Sequence, residues 1–218
     1  MPIQKLIDQA LQKEQADRKT RVRSGKFSPS SMGRCYRLQY WNRKKVEPTN
    51  PPDARTLRVF RAGRLFHDFA QSFIKPEQVE VKVETDDICG YADTVTEKSV
   101  IEFKSIHSRG FWYMQKDGYD VAKEKFTNWL QVMTYAMILK KPFGSLVFIS
   151  KDDLCIEEYA LPLANWIPTI NEELQVLRHY WGKDELPPPM PRAYNGKDCT
   201  YCQFKILCEQ TDGGYVKG

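Results

Sequence analysis

The chain has 218 residues, 41% of them hydrophobic and 12% aromatic, and its 33 Lys and Arg against 28 Asp and Glu leave a net charge of +5. That is enough apolar material for one well-cored domain and excludes a disordered chain. The opening Met1-Pro-Ile-Gln-Lys-Leu has no apolar stretch of secretory type, and no window approaches the length of a membrane span, so a soluble cytoplasmic protein is expected. Six cysteines in that setting point to metal binding or catalysis before disulfides.

In chain order, residues of about 3–16 carry a polar amphipathic helix pattern. A basic stretch follows with Arg18, Lys19, Arg21, Arg23 and Lys26, and Arg34, Arg37, Arg43, Lys44 and Lys45 come soon after. Such runs are either solvated surface or contacts for phosphates. Ser28-Pro-Ser-Ser, with serine at the cap and proline near the first turn, predicts the start of a helix that carries Cys35. After a proline-rich loop, a helix over about 55–74 is expected to set Leu57, Phe60, Leu65, Phe69 and Phe73 on one side. Runs of β character follow at 78–85, 88–95 and 100–105, then a long helix over about 120–140. Strands at 146–150 and 154–161 flank the turn at Lys151-Asp-Asp, and a helix over 164–181 precedes the extended Leu186-Pro-Pro-Pro-Met-Pro. Helix, three antiparallel strands, helix, two strands, helix predicts an α/β fold with a mixed central sheet flanked by helices.

Four cysteines sit near the two ends of the chain. Cys199, Cys202 and Cys208 have the spacing C-x2-C-x5-C, and a Cys-x-x-Cys pair puts two thiolates on one tight turn, which suits a tetrahedral ion or one corner of an iron-sulfur cube. The fourth ligand must come from far away. Cys35, in a polar and aromatic helix pattern, is the natural partner, whereas Cys89 and Cys155 lie in strand-like apolar runs and read as buried thiols. Joining Cys35 to Cys199 across 164 positions would close a very long loop and restrain the tail, so a structural staple is the expected role. Zinc would fill the same four-thiolate site.

The second and third β runs hold the other candidate chemistry. A hairpin turning at Glu97-Lys98 pairs residue 95 with 100 and sets Asp93 opposite Glu102. Side chains so paired leave from one face with Cβ atoms about 4.5 to 5.5 Å apart, and two carboxylates there repel unless a cation or proton lies between them. Period-2 alternation puts Lys104 on the same face and sends Ile101 and Phe103 to the core. Two acids and a lysine suit a Mg²⁺ or Mn²⁺ site for phosphodiester hydrolysis, although the same alternation also fits a solvent-facing strand with a cross-strand ion pair. On the long helix, Asn128, Gln131 and Tyr135 make a polar stripe among apolar neighbours, and His67 lies near Arg64 and Gln71 on the preceding helix. His107 and His179 have no better claim than His67.

Taken in order, the Cys35 segment, Gly63-Arg-Leu-Phe-His67, Gly90-Tyr-Ala-Asp93, Ile101-Glu-Phe-Lys104, Gln131-Val-Met-Thr-Tyr135 and the terminal cysteine triplet resemble the RecB-like nucleases of the PD-(D/E)XK superfamily. The resemblance is to their iron-sulfur branch of AddB-type and CRISPR-associated exonucleases, and it spans nearly the whole chain. It implies a restriction-endonuclease-like core over about 55–162, with a cysteine-bearing cap from 1–50 plus 163–218. It also implies a catalytic metal on His67, Asp93, Glu102 and the Phe103 carbonyl, with Lys104 catalytic and Gln131 and Tyr135 positioning substrate. Cys35, Cys199, Cys202 and Cys208 would carry a [4Fe-4S] cluster. The first acidic motif reads Ala-Asp where Pro-Asp is the commoner form. The implied activity is a metal-dependent DNA exonuclease of recombination, repair, replication or CRISPR adaptation, with DNA as its partner, little sequence preference and room for protein partners. A catalytically silent nucleic-acid-binding subunit and a structure-specific endonuclease are the alternatives.

Overall fold

Five strands rich in β-branched and aromatic residues lie side by side in chain order: β1 (Val79–Glu84), β2 (Cys89–Val95), β3 (Ser99–Ile106), β4 (Phe143–Ser150) and β5 (Ile156–Pro162). The structure is a computed structural model that describes residues 2–19, 24–193 and 196–213. Arg21 and Arg23 of the basic stretch lie outside the described residues, and of Arg18 and Lys19 only the helical backbone is described. Neighbouring strands are antiparallel except β3 and β4, which run parallel from Ser99 with Phe143 to Ile106 with Ser150. A parallel pair needs a long crossover, and the segment between β3 and β4 supplies it as helices.

The helices among the described residues are α1 (Ile3–Lys19), α2 (Tyr36–Arg43), α3 (Ala54–Gln71), α4 (Ser108–Met114), α5 (Val121–Glu124), α6 (Phe126–Ile138), α7 (Ile167–Gly182) and α8 (Lys205–Asp212). Asp53 caps α3 by accepting the Thr56 amide at 2.8 Å. The crossover helix α6 is apolar on most sides, and Trp129, Leu130, Val132, Met133, Tyr135 and Ala136 are all buried. It therefore lies between the sheet and α7, in one core with Phe27, Met32, Val100, Leu146, Phe148 and Leu174. On the other face, Phe66, Ala70 and Ile74 pack on Phe103, Val147 and Ile149, while α1 lies along α3 with Arg58 paired to Asp8 and Arg64 to Glu14. Among the described residues, no helix is long and apolar enough to cross a membrane.

The element order and the mixed sheet agree with expectation, and four local readings do not. Cys35 is not inside a helix begun at Ser28: a 3-10 turn over Pro29–Ser31 ends, Gly33 takes φ +75°, and Cys35 precedes α2. The long helix breaks at Lys125, which leaves the short α5 ahead of α6, and α4 was not foreseen. The apolar residues of α3 divide: Leu57 is buried, but Phe60, Leu65 and Phe69 are exposed, as is Phe73 just beyond its end, because the face with Phe66 and Ala70 is the one that meets the strands. Cys155 sits in the turn before β5, and both it and Cys89 are only partly buried.

Gly33 also marks the closest approach of the cysteine loop to α6. A Cβ there would lie 2.9 Å from Leu130 Cδ1 and 3.2 Å from Thr127 Cγ2. Gly33→Ala therefore combines left-handed strain with overpacking, and should cost about 2–4 kcal/mol in urea unfolding. Gly118→Ala, equally left-handed at φ +79° but with open space around it, should cost only about 1 kcal/mol. Equal losses in the two variants would contradict the close packing at Gly33.

Candidate functional site

The β2–β3 hairpin keeps the predicted offset, pairing Thr94 with Ile101 and Val95 with Val100, but the ladder stops there. Asp93 and Glu102 are thus not a ladder pair, which corrects the expectation of a directly opposed pair. Instead, Asp93 Oδ2 accepts the Phe103 amide at 2.9 Å. The other edge of β2 is interrupted at the same residue. Val79 pairs with Thr94 and Val81 with Ala92, while Glu80 between them takes φ +48° and makes no pair with Asp93. A left-handed non-glycine residue inside a strand bends the ladder, and here the bend frees the Asp93 side chain for the gap between strands.

Around that gap the polar groups are buried and close. Asp93 is 7% exposed and Glu102 1%. Glu102 Oε1 accepts from Lys104 Nζ and, at 2.7 Å, from Gln131 Nε2, and Lys104 Nζ also lies 3.5 Å from Gln131 Oε1. Glu102 Oε2 is buried without a hydrogen-bond partner among the described residues. Helix α3 brings His67 Nδ1 to 3.4 Å from Asp93 Oδ2, and Gln71, one turn on, donates to the Asp93 carbonyl at 2.8 Å and to Glu80 Oε1 at 3.2 Å. The solvent-facing reading of this strand is therefore excluded for Asp93 and Glu102.

The electrostatics follow from burial and like charge. Burial first, and then the Glu102 carboxylate, push Asp93 up to about 8, with Lys104 and the Phe103 amide pulling the other way. His67 is lowered by burial and by Lys104, against the pull of Glu102, Glu80 and the Phe103 backbone, so its neutral form is favoured. Tyr135 is raised by burial and by both carboxylates. It is 2% exposed and packs behind Gly90, where a Cβ would come within 2.4 Å of its hydroxyl, so it sits beneath the site and not at its mouth.

These residues fit a hard divalent cation on three observations: an orphaned carboxylate oxygen on Glu102, an aspartate that holds a proton into the neutral range, and a neutral imidazole beside it. Among the described residues, no three His, Cys, Asp or Glu side chains are gathered into a closed ligand group.

The four end cysteines do converge. Cys35, Cys199, Cys202 and Cys208 line one cavity of about 450 Å³ together with Arg37, Trp41 and Asp198. Each is a free thiol. Cys202 is pushed up to about 11, chiefly by burial, and Cys199 and Cys208 are raised by burial as well, with Arg37 opposing the shift at Cys208. Three of the sulfurs already receive N–H donors, each at 3.4 Å: Met190 N–H to Cys35, Phe204 N–H to Cys202 and Arg37 Nη1 to Cys208. Donors aimed at sulfur lower the cost of a thiolate, but burial outweighs them here and keeps the thiol form favoured at Cys199, Cys202 and Cys208.

Gln71, Glu80 and the carboxylates around Cys35 escaped the sequence reading. Gln71 had a usable signal, since it lies four residues after His67 and so on the same helical face. Glu80 had none, because its role depends on a backbone bend.

No protein-family model matches the chain, and no curated protein matches it. Among solved structures it is similar to the crystal structure of SSO0001, at 19% identity and a TM-score of 0.60, over 99% of this chain and 98% of that one. That likeness shows a shared fold over the whole length. Lower scores are found for an alkaline exonuclease (LHK-Exo) from Laribacter hongkongensis, at 14% identity and a TM-score of 0.44 over 74% of this chain and 95% of that one. A phage related exonuclease from Haemophilus somnus follows at 12% identity and 0.37, over 55% and 67%.

An acid whose folded-state pKa is raised stabilises the fold below its unfolded pKa, about 3.9, and loses that contribution as pH rises through the folded value of about 8. In chelator, Asp93→Asn should therefore gain melting temperature relative to wild type as pH goes from 5.5 to 8.5. A difference that stays constant over that range would contradict the buried like-charge pair.

Proposed function

We propose that this chain is a Mg²⁺- or Mn²⁺-dependent DNA exonuclease that hydrolyses phosphodiester bonds of single strands or duplex ends with little sequence preference. The observation that carries the reading is the buried Asp93–Glu102 pair, backed by Lys104, in which Glu102 Oε2 has no partner among the described residues. Asp93, Glu102, neutral His67 and the Phe103 carbonyl would hold the cation. When bound, it would neutralise the scissile phosphate and lower the pKa of an attacking water. Lys104 brings an ammonium to the same place, where it offsets charge developing on the phosphate. Gln131 fixes Lys104 and Glu102 relative to each other by touching both. Tyr135 supports β2 from beneath at Gly90. The implied settings are recombination, repair, replication or CRISPR adaptation.

We also assign the cysteine cavity a thiolate-bound metal, a [4Fe-4S] cluster by the resemblance, with zinc as the other occupant the donors would accept. Its default role is structural. Asp93, Glu102 and Lys104 are not among the residues that line the cysteine cavity.

The test uses end-labelled single- and double-stranded DNA with Mg²⁺ or Mn²⁺, beside a closed single-stranded circle. Linear substrates should be degraded from their ends and the circle left intact, with Glu102→Ala and Lys104→Ala each slowing cleavage by about 100-fold or more without unfolding the protein. Cleavage of the circle would make the enzyme an endonuclease. Wild-type rates in either variant would remove the site assignment.

A further inference from the structure

Two buried carboxylates, Asp198 and Glu173, bridge the segments that bring the cysteines together. Asp198, the residue before Cys199, is 1% exposed. Its Oδ2 accepts the backbone amides of Cys35 at 3.1 Å, Arg192 at 3.2 Å and Ala193 at 3.1 Å, and its Oδ1 accepts Arg34 Nε at 3.1 Å. A buried carboxylate with four donors is well satisfied and rigid. Glu173 of α7 holds the same loop from the other side. It accepts the Gly33 amide at 3.0 Å, the Tyr36 hydroxyl at 3.1 Å and both guanidinium nitrogens of Arg192 at 2.9 and 2.6 Å. The first cysteine is thus bracketed by Gly33 and Tyr36 on Glu173 and by its own amide on Asp198. Arg37 fastens the far end, with a bidentate pair to Asp212 of α8 at 2.8 and 2.6 Å and a bond to the Pro187 carbonyl at 2.7 Å.

We propose that Asp198 is the positioning residue of the cysteine cavity: it fixes Cys35 against the Cys199 loop before any metal arrives, so a buried carboxylate assembles the ligand set and the metal then fills it. The proposal rests on the four-thiolate reading above. It revises the expectation that the metal is the staple. The long loop between the chain ends is closed by protein groups on folding, and metal binding has little ordering left to do.

The test compares metal-free wild type, Asp198→Asn and Cys199→Ala, prepared with chelator and reductant, by hydrogen exchange. Segments 33–37 and 196–213 report whether the tail is docked, and α6 reports the core. The tail should be protected in wild type and in Cys199→Ala, and should exchange at least tenfold faster in Asp198→Asn with α6 unchanged. Cobalt(II), followed by thiolate-to-cobalt absorption, should bind Asp198→Asn at least tenfold more weakly than wild type, and Asp198→Glu should recover part of that loss. A metal-free wild-type tail that exchanges as fast as that of Asp198→Asn would overturn the proposal. If Asp198→Asn loses its α6 protection, the other two decide: protected tails in both support the proposal, and unprotected tails overturn it. If cobalt fails to bind wild type while the exchange difference persists, the four-thiolate reading falls and Asp198 remains the organiser of the loop.

Discussion

Asp93 is left unpaired on both sides of β2, where the ladder to β3 ends and the ladder to β1 skips one position, and the candidate chemistry depends on that gap. A continuous ladder would spend the Phe103 amide on a backbone carbonyl; here the Asp93 carboxylate takes it. The carboxylate is thereby held beside Glu102 in a buried setting, where two like charges cost several kcal/mol unless neutralised. Lys104 and Gln131 satisfy one oxygen of Glu102, Gln71 holds the Asp93 carbonyl, and His67 stands at the edge. The charge left uncompensated appears as a raised Asp93 and an orphaned Glu102 oxygen, and it is what a divalent cation would remove.

Helix α6 links this site to the ends of the chain. Its Gln131 touches Glu102 and Lys104, and the preceding residue, Leu130, meets the cysteine loop at Gly33. The same loop is then held by Glu173 and Asp198. A change in the cysteine cavity has a packed route to the carboxylates through neighbouring residues of one buried helix.

Much of this was legible in the residues because it follows from period and spacing. Strand alternation separated Glu102 and Lys104 from Ile101 and Phe103, and those two apolar residues do pack on the α3 side. The hairpin turn at Glu97-Lys98 gave the right offset, and the cysteine spacing led to four sulfurs around one cavity. What could not be read depended on backbone conformation and long-range polar contacts. Nothing in Glu80 announces the left-handed φ that interrupts a ladder. Phe60, Leu65, Phe69 and Phe73 read as the core side of the α3 segment, yet they are exposed, and it is Phe66, Ala70 and Ile74 that pack on the strands. The pairing of Asp198 with the Cys35 amide joins residues 163 apart and leaves no local trace.

Asp93 and Glu102 form one buried pair whose like charge a divalent cation would neutralise. Titration calorimetry with Mn²⁺ at pH 7, run in buffers of different ionisation enthalpy, reports both the binding and the protons it displaces. Because Asp93 is pushed up to about 8, wild type should release close to one proton per bound ion, and Glu102→Gln should bind at least tenfold more weakly and release fewer. Binding of equal strength in both proteins, with no proton released from either, would contradict the account.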